Sequence, residues 1–174
     1  MFASLAFLVV SAVIVGYSLP SLREPRSHGF FRFFAWEAIL GLLLLNLHAW
    51  FAEPLAWHQL LSWLLLTASL YLLLAGIIHL RRAGKPGGAL EATTRLVQEG
   101  IFAHIRHPLY ASLLYLAWGI FFKSPSLLDG CLTLVATAFL YATARADEAE
   151  CLVKFGAAYA GYMQRTRMFI PFVF

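Results

Sequence analysis

The chain has 174 residues, 61% of them hydrophobic, 16% aromatic and only 13% charged, with a formal net charge of +4. The hydrophobic share is well above the roughly 45–50% of soluble domains. That excludes an ordinary water-soluble globule and predicts an all-α integral membrane protein with a single membrane domain over residues 1–174. The positive charge does not point to nucleic acid. Basic residues in such a chain report topology, and no basic groove pattern interleaved with aromatics accompanies them.

About 20 apolar residues at 1.5 Å rise cross a bilayer core. The first predicted span, Phe2–Leu19, lacks the basic start of a secretory leader and reads as a membrane helix. Phe33–Phe51 and Trp57–Leu80 follow, completing three spans within residues 1–80. Pro20, Pro54, Pro86 and Pro125 fall in the predicted gaps, where a missing backbone donor does least harm. Glu37, Asn46 and His48 sit in the second span and His79 ends the third. Glu37 either reaches the inner surface or lines a substrate cavity, and the two histidines read as interfacial.

The loop from Arg81 to His107 opens with Arg81-Arg82-Ala83-Gly84-Lys85-Pro86-Gly87-Gly88, which predicts irregular structure, followed by a short helix or turn over Ala89–Gln98. Leu109–Phe122 and Leu127–Thr143 form a helical hairpin around Lys123-Ser124-Pro125-Ser126. The first of these two is short and can be partly buried in protein rather than fully spanning. With the N-terminus outside, twelve of the thirteen Lys and Arg fall on one side and only Lys123 on the other. This is the skew of the positive-inside rule, so the loops and the tail are predicted to be cytoplasmic.

Along the tail, Glu148, Leu152, Phe155, Tyr159 and Tyr162 are spaced 4, 3, 4 and 3, one face of an amphipathic helix on the membrane or the bundle. Cys131 and Cys151 lie on opposite sides of a charged boundary, which argues against a disulfide. Two cysteines also offer too few ligands for a metal site.

Three groups carry candidate chemistry. His107-Pro108 starts a helix whose free N–H groups suit an anion, with Arg106 and Tyr110 beside it. The alternative is a cap flanked by interfacial anchors. Glu148 places a carboxylate on an otherwise apolar stripe and needs a partner, either a cationic ligand or Arg145 at i, i+3 spacing. Phe102, Phe155, Tyr159 and Tyr162 could clamp a sulfonium or simply pack. A Rossmann glycine fingerprint, a phosphate loop and a nucleophile elbow are all absent from the sequence.

Arg106-His107-Pro108-Leu109-Tyr110, preceded by Leu96-Val97 and Gly100-Ile101-Phe102, resembles the signature of the isoprenylcysteine carboxyl methyltransferase family, much of which phospholipid N-methyltransferases share. The second half agrees: Asp147-Glu148, Phe155-Gly156, Tyr159, Tyr162 and Ile170-Pro171. The resemblance covers Thr94 to Pro171 and implies S-adenosylmethionine as cofactor, a lipophilic or prenylated methyl acceptor, and an integral membrane setting. Carried over by position, Thr94, Arg95, Leu96, Val97, Phe102, His107, Pro108, Leu109, Tyr110 and Glu148 would hold the cofactor. Arg145 would hold the acceptor's carboxylate, although it stands closer to Glu148 than the family pattern has it. Gly-Ile-Phe replaces the usual Gly-Pro-Tyr or Gly-Val-Tyr, so Phe102 lacks a tyrosine hydroxyl; Ser112 replaces a common glycine, and Asp147 the first Glu. Rival readings are a nicotinamide-dependent membrane reductase, which would need an Arg pair such as Arg81-Arg82, and a membrane scaffold without activity.

Overall fold

The computed structural model describes residues 2–83 and 94–171. The described residues form six α-helices and no β-strand: α1 (Phe2–Leu22), α2 (His28–Asn46), α3 (Trp57–Ala83), α4 (Pro108–Phe121), α5 (Leu127–Phe155) and α6 (Ala157–Arg165), with short 3₁₀ turns at Leu47–Ala49 and Gly100–Ala103. Among the described residues, four stretches are long and apolar enough to cross a membrane: Ala3–Leu22, His28–Ala49, Trp57–Ala83 and Leu127–Phe155. The 14 residues of α4 reach about 21 Å at 1.5 Å per residue, short of a core of about 30 Å.

Several boundaries depart from the sequence expectation, each for a local reason. Pro20 lies inside the last stretch of α1 and does not end it. The second helix begins five residues before the predicted Phe33, because Ser27 caps it: the Phe30 N–H donates to Ser27 Oγ at 3.2 Å. The fifth helix runs past Thr143, since Arg145-Ala146-Asp147-Glu148-Ala149-Glu150 contains no strong helix breaker. Charge alone does not stop a helix there. The predicted tail stripe is split by Gly156, at φ 55° and ψ −131°, into the end of α5 and α6. In the Ala89–Gln98 prediction, residues 89–93 lie outside the described residues and 94–98 are not helical. Of the predicted apolar end at Phe169–Phe174, residues 172–174 are also outside the described residues.

The chain divides into two compact units, Met1–Thr67 with Leu114–Asp147, and Ala68–Leu113 with Glu148–Phe174. In the first unit, Ser11 Oγ donates to Glu37 Oε1 at 3.0 Å, which gives the membrane-depth carboxylate a partner. Phe34 stacks on Phe139 at 4.9 Å. Asn46 Nδ2 donates to Leu42 O at 3.0 Å and to Asp129 Oδ1 at 3.1 Å. Ser126 caps α5, its hydroxyl accepting the Asp129 N–H at 3.1 Å. Ser62 Oγ donates to Gly119 O at 2.6 Å, an approach that a bare glycine surface allows, since a Cβ at Gly119 would meet Leu66 Cδ2 at 2.9 Å. Lys123 is buried, its Nζ donating to Gln59 Oε1 at 3.0 Å and lying 3.6 Å from the Trp63 ring centroid. Cys131 is exposed, Cys151 in the second unit is half-buried, and neither is in a disulfide.

In the second unit the start of α4 lies close against α3. A Cβ at Gly76 would sit 3.0 Å from Leu109 Cδ2 and 3.4 Å from Pro108 Cγ. Ser69 Oγ donates to Ser112 O at 2.7 Å, which gives the serine position a structural role through its carbonyl. Leu80, Val97 and Phe102 form a buried apolar cluster with Ala83, Ile101 and Leu109 packed on it. Gly100 opens the 3₁₀ turn at φ 59°, and a Cβ there would run into the His79 ring. Gly100→Ala is therefore expected to cost about 1–3 kcal/mol from backbone strain alone, with steric conflict added. Thermal unfolding in detergent would read this, and Gly100→Ala/His79→Ala should recover only the steric part.

Candidate active site

Two short segments of the second unit build the site. Ile105 and Arg167 form an isolated parallel bridge. The Arg167 N–H donates to His104 O at 3.2 Å, the Arg106 N–H to Arg167 O at 2.7 Å, and the His107 N–H to Met168 O at 3.2 Å. Extended backbone sends successive side chains to opposite faces. Thr166 and Met168 are accordingly buried, whereas Arg167 between them is exposed; Arg165, the last residue of α6, is exposed as well. The entry to α4 is thus fixed against the exit from α6, just where Arg106-His107-Pro108 begins a helix. The Ala111 N–H closes its first turn on His107 O at 2.8 Å, and Pro108 at the first helical position sacrifices no hydrogen bond.

Glu148 projects from α5 into this junction and is only 1% exposed. Its Oε1 accepts Arg106 Nε at 2.8 Å and lies 2.7 Å from Arg106 Nη2. His107 Nε2 stands 3.5 Å from the same oxygen. A carboxylate at this depth needs such compensation, since an uncompensated buried charge costs several kcal/mol. The third guanidinium nitrogen, Arg106 Nη1, donates to Thr166 O at 2.5 Å and to Met163 O at 3.3 Å. Those carbonyls belong to the end of α6, where helical carbonyls lack partners within the helix. One arginine therefore neutralises the acid and caps the helix.

Aromatic groups enclose the cluster. The His107 ring stacks on Tyr110 at 5.5 Å and 20°, with Phe169 at 6.4 Å. Tyr162 donates its hydroxyl to Phe102 O at 2.6 Å. Burial pushes the Tyr162 phenol well above its ordinary pKa, outweighing the opposing charge of Arg106, so it serves as a protonated donor. Tyr159 lies beside it at 5.7 Å.

The residues carried over from the family resemblance are placed unevenly. His107, Tyr110 and Glu148 are buried, His107 lying against both Tyr110 and Glu148. Pro108 is fully buried at the start of α4, while Leu109 is half-buried against the Leu80–Val97–Phe102 cluster. The side chains of Val97 and Phe102 belong to that apolar cluster, and Phe102 reaches Tyr162 through its backbone carbonyl. Leu96 is half-buried, and Thr94 and Arg95 are exposed. Arg145 is exposed on α5, three residues before Glu148 and within the first unit.

Arg106 is the partner that sequence reasoning passed over. It stands 42 positions from Glu148, and helical spacing directs attention to Arg145 instead. Its position directly before His107-Pro108, in a chain with few charges, was the available signal.

The phospholipid methyltransferase family model matches residues 57–156, more than half of the chain, from the start of α3 to the Gly156 break. It takes in Arg106, His107 and Glu148 and stops before α6. No curated protein and no solved structure matches the chain significantly.

Proposed function

Because the chain belongs to the phospholipid methyltransferase family, a family of membrane methyltransferases, we propose that it transfers a methyl group from S-adenosylmethionine to a lipophilic acceptor, with carboxyl methylation of an isoprenylcysteine-like molecule as the first reading. The observation that carries this is the convergence of Arg106 and His107 on one buried oxygen of Glu148, a residue 42 positions from Arg106 in sequence. The donor set fits the cofactor's chemistry: a fixed carboxylate suits hydroxyl or amino donors, and aromatic faces suit a sulfonium. His107, Tyr110 and Glu148 would hold it, with Thr94, Arg95, Leu96, Val97, Phe102, Pro108 and Leu109 completing the contact set that the family pattern implies. Bound there, the cofactor supplies an electrophilic methyl on a sulfonium with a thioether as leaving group.

The chain's own contribution is then placement and exclusion of water. Holding two partners in line can supply several kcal/mol, up to roughly 7–11 in well-oriented systems. Glu148 Oε1 is engaged by Arg106, which suits a fixed charge better than a proton acceptor. A carboxylate or thiolate acceptor needs no base, and this favours the carboxyl reading. Arg145 would orient such a carboxylate. A phospholipid amine is the second reading, favoured by the description of the matching family.

The proposal includes five spans with α4 as the fourth, the N-terminus outside, and the α5 end with α6 at the cytoplasmic face. The charge asymmetry supports that orientation. A labelled-methyl assay over prenyl-cysteine, phosphatidylethanolamine and simple thiol acceptors decides the acceptor. Labelling of none of them overturns the reading. Arg145→Ala is expected to raise the acceptor's KM several-fold with cofactor affinity unchanged. A loss of cofactor affinity in titration calorimetry would remove Arg145 from the acceptor role.

A further inference from the structure

Besides the buried cluster, the second unit carries a polar crevice of about 200 Å³ lined by Ala103, His104, Gln164, Arg165 and Arg167. Two arginines and a histidine face it together with one amide, and none of these lining residues is acidic. The bridge at Ile105 produces the arrangement. Arg165, the last residue of α6, and Arg167, in the bridge, are both exposed and both line the crevice, and the Arg167 N–H is bonded to the backbone of His104 at 3.2 Å. Arg165 is also oriented, its Nε donating to Gly161 O at 3.2 Å and its Nη2 to Gln98 Oε1 at 3.3 Å. Both acceptors are neutral, so these bonds direct the guanidinium without cancelling its charge.

We propose that this crevice binds a phosphate group, and specifically the phosphate of a membrane phospholipid. Guanidinium forks match phosphate oxygens in paired hydrogen bonds, and two of them beside an imidazole and an amide offer donors on several sides. The volume suits one phosphate group with a few waters, a liquid water occupying about 30 Å³. It does not suit a polymer. A lipid source follows from the neighbourhood. Ile170, three residues beyond Arg167, is 38% exposed although apolar, and the unit contains the end of α3, an apolar helix long enough to cross a membrane. A basic crevice beside exposed apolar surface is the setting of a headgroup contact. The site lies on the exposed side of the bridge and does not depend on which acceptor is methylated.

The test uses the full chain in neutral detergent. Phosphatidylglycerol is titrated into the micelles, with diacylglycerol of the same acyl chains as the phosphate-free control and inorganic phosphate as the soluble arm. The thermal midpoint should rise with phosphatidylglycerol and stay put with diacylglycerol. Arg165→Gln and Arg167→Gln should each weaken the lipid affinity roughly fivefold, the equivalent of about 1 kcal/mol per interfacial basic residue, and cofactor binding, measured in parallel, should be retained. If Arg165→Gln folds poorly, exposed Arg167→Gln alone carries the test. Equal responses of wild type and variant to phosphatidylglycerol, or an equal response to diacylglycerol, would overturn the proposal. Stabilisation by inorganic phosphate without any by phosphatidylglycerol would overturn the lipid assignment. Failure of the methyl-transfer assay with the lipid response intact would count against the catalytic reading only.

Discussion

Glu148→Ala should lose measurable S-adenosylmethionine binding and lower stability by about 3–5 kcal/mol, the usual cost of leaving one member of a buried ion pair alone. Both effects follow from one arrangement, because removing the carboxylate strands the Arg106 guanidinium in a site where Glu148 was 1% exposed. A second variant separates them. Arg106→Met/Glu148→Leu removes both charges and should recover part of the stability, since apolar replacement of a whole buried pair is often neutral, while the α6 carbonyls lose their Arg106 donor. Cofactor binding should stay lost. Titration calorimetry in detergent and thermal unfolding give the two readouts. Wild-type cofactor affinity in the double variant would show that this cluster is structural and not a binding site.

The second large effect is expected at Lys123. The residue is 1% exposed, its ammonium bonded to Gln59 Oε1 and set over the Trp63 and Trp50 rings at 3.6 and 5.4 Å. A desolvated cation–π contact is worth about 2 kcal/mol, and an orphaned buried carbonyl costs about 1–3 kcal/mol. Lys123→Ala should therefore destabilise the protein by roughly 3 kcal/mol and leave cofactor affinity alone, because Lys123, Gln59, Trp50 and Trp63 all belong to the first unit. Burial also depresses the Lys123 pKa below 10.5. The unfolded chain then binds more protons than the folded one between the depressed value and 10.5, so stability rises with pH across that window. This contribution is fully present above 10.5 and lost as pH falls through the folded-state value. Denaturant melts at several alkaline pH values should show the rise in wild type and its absence in Lys123→Met.

How far the sequence reveals these features depends on the range of the forces involved. The membrane class and the long helices are legible because they need only composition and length, properties of contiguous residues. Helix ends are less legible. The charges after Thr143 signal an exit from apolar surroundings, and a helix can make that exit without unwinding. Gly156 was visible as a glycine, but its positive φ depends on the chain having to turn there. Among the candidate site residues, His107 and Glu148 stand out because polar groups are rare in this chain. Their link through Arg106 was hidden, since a contact across 42 positions leaves no periodic trace. Val97 and Phe102 show the reverse limit. A motif marks the backbone's place near the site, whereas the side chains point into the Leu80 cluster.

Arg106 gives Nε and Nη2 to the acid and Nη1 to the carbonyls that close α6. A single planar group is thus shared between electrostatics and helix termination, so neither can be adjusted without disturbing the other. Lysine, with one nitrogen in place of three, cannot span both tasks. Redesigning this centre for a different charge would have to begin by giving the helix another stop.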